Sequence, residues 1–137
     1  MKVLIDTCIW SHAIRNKKPT EKQALAVIEL TELIKESRVE IIGAIRQEIL
    51  SGIKHSKQFV KLKASLAVFH DIQLTQDDYE LAAELFNTLR SKGIQGSNTD
   101  FLICAVSINY DLTIFTDDAD FKNFKKHIPI RLHEIRE

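Results

Sequence analysis

Asp6 directly follows the apolar run Val3-Leu4-Ile5, and Thr116, Asp117 and Asp118 directly follow the run Leu112 to Phe115. Asp100 stands in the first turn of a helical pattern that leads into that second run, and Glu48 lies in the helical segment after Val39 to Ile42. In open parallel sheets, sites gather at the carboxyl ends of strands. Neighbouring placement of the two runs would therefore bring these acids to one crevice. Carboxylates brought together repel one another unless a cation neutralises them. The five histidines (12, 55, 70, 127, 133) are scattered, and no Cys/His spacing suits zinc. Hard oxygen ligands suit Mg²⁺ or Mn²⁺ better. Such a site lowers the pKa of water and balances charge on phosphate oxygens, which points to hydrolytic phosphoryl chemistry without a protein nucleophile.

Each acid also has a structural reading. Asp6 could simply cover a strand end, yet a carboxylate flanked by apolar runs is costly if unpaired. Asp100 stands three residues after Ser97, the spacing of a capping box. Glu48 taken alone is an ordinary solvated helix acid. Asp117, Asp118 and Asp120 form a turn-like acidic run from which one ligand is expected.

The elements that must position these residues read as alternating strands and helices. Val3 to Ile5 is short and continuously apolar, as suits a strand buried on both faces. A polar, basic stretch follows, and Thr20 caps a helix in which Val27, Leu30 and Ile34 recur. Val39 to Ile42 reads as a second strand, and residues 44–54 as a helix stopping near Gly52. Lys57 to Phe69 is helical, with Phe59, Leu62, Leu66 and Phe69 on one face and Lys54, Lys57 and Lys61 on another. Asp71 to Leu74 reads as a strand. Thr75 opens a helix with Asp77, Asp78 and Glu80 in its first turns, ending at Arg90, Lys92 and Gly93. Ser97 caps a helix carrying Phe101, Cys104, Ala105 and Ile108. Leu112 to Phe115 is a fourth strand, Phe121 to Phe124 a helical turn, and Pro129 to Leu132 a fifth strand at an edge. This alternation predicts a three-layer α/β fold with a parallel sheet flanked by helices. Residues 1–137 carry no internal repeat or linker, which predicts one domain.

Composition bounds the reading. Hydrophobic residues make up 45% and charged residues 28%, with 4 Gly and 2 Pro, which excludes disorder and collagen-like repeats. Cys8 and Cys104 do not make a disulfide scaffold or a metal knuckle, and core packing is the expected role of both. The N-terminus lacks the long apolar region of a signal peptide, and no stretch approaches the ~20 apolar residues of a membrane span. A cytoplasmic protein is the expectation.

Taken together, these residues resemble a known family. The sequence is similar to the PIN-domain family and, within it, to the VapC-type toxin ribonucleases. VLIDTCIW resembles the first block, an apolar strand ending in Asp-Thr. IRQEILSGI resembles the second, with its acid at Glu48 and a glycine at Gly52. TDFLICAVSINYDLTIFTDDADF resembles the remaining blocks, and DIQLTQDDYELAAELFNTLRSKG the middle section. The resemblance covers essentially the whole chain in the expected order. It implies Asp6, Glu48, Asp100 and Asp118 as an acidic site for Mg²⁺ or Mn²⁺, supported by Thr7 and Thr116. Asp117 or Asp120 can stand in for Asp118, because the last block is short. It also implies a five-stranded parallel sheet with the first strand central, beside the second and fourth. The implied activity is endoribonuclease cleavage of RNA, and the implied partners are a second copy of the chain and a cognate antitoxin. Some PIN domains act in RNA processing instead.

Between Ile49 and His70 there are four lysines (54, 57, 61, 63) and no acid. Lys54, Lys57 and Lys61 form a candidate RNA-backbone contact, and Arg15, Lys17 and Lys18 a second one; the alternative is a solvated face. Trp10 is suited to base stacking or to burial, and burial is the expectation. Nineteen Lys and Arg balance nineteen Asp and Glu, which argues at first against a nucleic-acid partner. Setting the four metal-site acids aside leaves fifteen acids against nineteen bases, a moderately basic surface around an acidic pocket.

A non-catalytic receiver-like signalling domain is the competing reading from another class. It requires an acid pair at the first strand and a lysine after a late strand. Here the first strand ends Asp-Thr, and Lys122 and Lys125 come only later, inside a predicted helix. A PIN-like domain kept only for binding is disfavoured by the four intact acids.

Overall fold

The computed structural model describes residues 1–14 and 18–137. Strand β1 (Val3–Ile5) is fully buried, and it forms the middle of a three-stranded parallel sheet between β2 (Val39–Glu40) and β3 (Thr113–Phe115). Val3 pairs with Val39 and Thr113, and Ile5 with Phe115. Parallel strands buried on both faces read as continuous apolar runs, which is what Val3-Leu4-Ile5 is.

Five strands were expected, and three are formed among the described residues. The two outer segments each contribute a single bridge, Ile41 with Asp71 and Ile114 with Leu132. Both bridges are parallel and lie at opposite edges, so the expected order survives as a core of three strands with one-residue extensions. Asp71 to Leu74 and Pro129 to Leu132 are too short and too interrupted to form ladders, and a proline cannot donate to one.

Helix α1 (Thr7–Ile14) starts straight from β1 with no intervening loop. The Asp6 amide still belongs to the sheet, donating to Phe115 O at 2.9 Å, while the Asp6 carbonyl accepts from Ile9 and Trp10 at 3.1 and 3.4 Å. Helix α2 (Glu21–Lys35) begins with a capping box between Thr20 and Gln23. It buries Ala26, Glu29, Leu30 and Leu33; Val27 is half-buried and Ile34 points outward, one position off the expected stripe.

Helix α3 (Gly43–Leu50) follows β2 and stops before Gly52, whose φ of +85° suits glycine. Helix α4 (Ser56–Leu66) ends three residues earlier than the pattern predicts. The Arg46 guanidinium takes the carbonyls of Leu66 and Phe69 at 3.0 and 2.5 Å and thereby caps the end of α4. Only Leu62 and Leu66 of the expected stripe are buried. Phe59 is exposed, and Phe69 is half-buried, edge-on to Trp10 with ring centroids 5.3 Å apart.

Helix α5 (Gln76–Ser91) packs along α6 (Asn98–Asn109), and α7 (Asp120–Lys125) closes the chain before the Leu132 bridge. Asp78 joins the start of α5 to the end of α6, accepting from Thr75 N, Asn109 Nδ2 and Tyr110 Oη at 2.8 Å each. Helix α6 is buried continuously from Phe101 to Ser107 rather than along one stripe. A helix apolar all round belongs at the centre of a fold, and this one carries Asp100 in its first turn. No helix among the described residues is long and apolar enough to cross a membrane.

Candidate active site

Because β1 and β3 are neighbours in register, the residues that follow them emerge side by side. Asp6 is only 7% exposed, and both of its carboxylate oxygens accept hydrogen bonds. Its Oδ1 accepts from the Thr7 amide at 2.7 Å, and its Oδ2 accepts from Thr116 Oγ1 at 2.8 Å. The Cys8 thiol also donates to Oδ2, at 3.6 Å. Burial raises the Asp6 pKa, the nearby charge of Asp100 raises it further, and the three hydrogen bonds oppose the shift.

Thr116 is the hinge of the β3 edge. While its hydroxyl donates to Asp6, it also accepts from the Asp118 amide at 3.1 Å. Asp118 Oδ1 in turn accepts from the Asp120 amide at 2.9 Å, which closes the turn into α7. Such side-chain acceptors to backbone amides are the usual work of Asp and Thr in turns.

Asp100 has both of the roles its spacing allows. It forms a capping box with Ser97, whose Oγ accepts from the Asp100 amide at 3.0 Å while Asp100 Oδ2 accepts from the Ser97 amide at 3.1 Å. Its Oδ1 accepts from no donor among the described residues. Burial raises its pKa, and the charges of Asp118 and Asp120 add to that, against the hydrogen bonds from Ser97. Glu48 lies on the exposed side of α3 and is tied to the same edge through Thr7, whose hydroxyl donates to Glu48 Oε1 at 2.7 Å.

Asp100 thus links the set, acting by its charge on Asp6 and feeling the charges of Asp118 and Asp120, and Glu48 is tied in through Thr7. Among the described residues, no three His, Cys, Asp or Glu side chains stand together as a group that could hold a metal ion. In donor chemistry, carboxylate oxygens suit a hard divalent cation that keeps several of its waters, as Mg²⁺ does.

Two residues at this edge were not singled out by sequence as site residues. Cys104 is buried in the core, while Cys8 is half-buried, packed against the core and also touching Asp6 and Thr116. Burial, and then the Asp6 charge, push the Cys8 thiol up to about 12, so it stays a protonated donor. His12 Nε2 lies 2.5 Å from Asp117 Oδ2. The helical spacing of α1, directly after Asp6, was the signal that both residues return toward the strand end.

Among the candidate RNA contacts, Lys18, Lys54, Lys57 and Lys61 are exposed. Arg15 and Lys17 lie outside the described residues. Trp10 is 4% exposed, so it packs in the core and offers no stacking face.

Fold and site together define an α/β domain with an acidic cluster at the carboxyl edge of a parallel sheet. Residues 3–127 match the PIN domain family, and the chain belongs to it. Its structure is similar to a chain in the crystal structure of VapBC2 from Rickettsia felis bound to a DNA fragment from their promoter. That similarity has a TM-score of 0.76 and 26% identity over 97% of this chain and 98% of that one. It is also similar to a chain of FitAcB from Neisseria gonorrhoeae, with a TM-score of 0.75 and 20% identity over 96% of each. A toxin–antitoxin complex from Klebsiella pneumoniae gives 0.65 and 20% over 88% of this chain and 90% of that one. No curated protein matches the chain.

Proposed function

We propose that the protein is a metal-dependent endoribonuclease and the toxin component of a toxin–antitoxin pair. The observation that carries this reading is the convergence at one sheet edge: Thr116 at the end of β3 donates to the buried Asp6 at the end of β1, and burial first, then the charge of Asp100 opening α6, raise the Asp6 pKa. Such a pair stores repulsion that a divalent cation relieves. In the proposal Asp6, Glu48, Asp100 and Asp118 hold Mg²⁺ or Mn²⁺, supported by Thr7, Thr116, Asp117 and Asp120. When bound, the cation supplies Lewis acidity, activating water and balancing charge on the phosphate. The protein's own residues fix that arrangement. Thr116 and the Thr7 amide orient Asp6, Thr7 orients Glu48, and Ser97 orients Asp100.

RNA is the proposed substrate, lying along the exposed lysines of α4, with Lys18 and the Arg15 and Lys17 segment as a second contact. The antitoxin partner rests on the toxin–antitoxin complexes named above, and the homodimer on the family resemblance. A receiver-like role finds no support in the geometry. Thr116 follows β3 and is bound to Asp6, while Lys122 and Lys125 lie in α7.

Purified protein incubated with structured and single-stranded RNA tests the reading. Cleavage is expected with Mg²⁺ or Mn²⁺ and none with EDTA. Undiminished cleavage in EDTA would overturn the metal site. Expression in a host separates the toxin reading from RNA processing, with growth arrest expected and relief when the adjacent small gene is co-expressed.

A further inference from the structure

The run Thr116 to Asp120 offers three acids, and the chemistry needs to know which one serves. The turn is tied to α1 twice. Thr116 Oγ1 reaches Asp6 at the start of that helix, and Asp117 Oδ2 reaches His12 Nε2, nearly two turns further on, at 2.5 Å. Asp117 is therefore spoken for. Among the described residues Asp118 has no such partner: its Oδ1 closes the turn by accepting from Asp120 N.

We propose that His12 is a positioning residue: by holding the Asp117 carboxylate against the end of α1, it fixes the turn so that Asp118, and not Asp117, serves as the fourth metal-site acid. The inference rests on the metal-site reading above, and it assigns a role to a histidine and an aspartate that this reading leaves open. Outer partners that orient a metal ligand commonly change affinity by about 10–100-fold when removed. The His12 contact acts one residue away from the ligand, so the lower end of that range applies.

The test is Mn²⁺ binding by electron paramagnetic resonance on the full chain, with thermal melting of each variant. Asp118→Asn is expected to lose most of the affinity, and Asp117→Asn only a small part of it, because an amide oxygen still accepts from His12. His12→Ala is expected to weaken Mn²⁺ about tenfold, and His12→Gln, whose amide can donate to Asp117, to restore it. Equal loss in Asp117→Asn and Asp118→Asn would overturn the proposal by making Asp117 a ligand. Unchanged affinity in His12→Ala would overturn it too, provided Asp6→Asn abolishes binding. Binding that survives Asp6→Asn would overturn the metal site itself, and so separates the two failures.

Discussion

Thr116 Oγ1 donates to Asp6 Oδ2 at 2.8 Å across 110 residues of sequence, and this single contact joins the carboxyl ends of β1 and β3. The same hydroxyl accepts from Asp118 N, so one side chain sets both acids. Thr116→Val keeps the shape and deletes the hydroxyl. A buried carboxylate that loses one hydrogen bond is destabilised by about 1–3 kcal/mol. RNA cleavage by this variant is expected to fall at least tenfold while the melting temperature drops by only a few degrees. Full activity would show that Asp6 needs no orientation from β3.

Glu29 gives a pH prediction remote from the site. It is 4% exposed on α2, and it binds His133 Nε2 at 2.7 Å and Arg136 Nη2 at 3.0 Å, fastening the C-terminal segment. Burial alone would raise its pKa, but hydrogen bonds from Arg136 and His133 outweigh that and lower it from 4.5 to about 2. A depressed folded pKa means stability that is present above 4.5 and lost as pH falls toward 2. Acid melts of the native chain should therefore lose stability across that window, and Glu29→Gln should flatten the loss while lowering stability at neutral pH by about 2 kcal/mol. Parallel curves for the two proteins would contradict the assignment.

Lys57 and Lys61 stand one helical turn apart on exposed α4. Replacing both with Ala should raise KM for RNA and leave kcat nearly unchanged. The slope of log affinity against log salt should become shallower by about 1–2, since each phosphate contact releases counterions. An unchanged salt slope would make the lysines a solvated face.

The placement of the acids at the sheet edge was more legible in the sequence than the sheet itself. Asp6 and Thr116 could be placed because each directly follows an apolar run, and Asp100 because Ser97 sets a capping spacing that the structure repeats. The sheet edges were overread. Asp71 to Leu74 and Pro129 to Leu132 carry the apolar character of strands, but each makes only one bridge. Apolar runs that short report burial and not pairing. The α2 stripe was misjudged for a related reason. A buried Glu29, held by residues 104 and 107 positions later, occupies a place that periodicity reserves for an apolar side chain. His12 and Cys8 were not read as site residues, because only the direct passage from β1 into α1 brings them back to the strand end.

The central claim is that a carboxylate at the end of β1 is indispensable to metal-dependent RNA cleavage. Asp6→Asn tests it most directly, because asparagine fills the same space and its one amide oxygen can still accept from the Thr7 amide, while its Nδ2 can donate to the Thr116 hydroxyl. Cleavage of a defined RNA in Mn²⁺ should fall to background, with the circular dichroism spectrum and melting profile retained. A folded Asp6→Asn protein that cleaves RNA at the native rate would contradict the account.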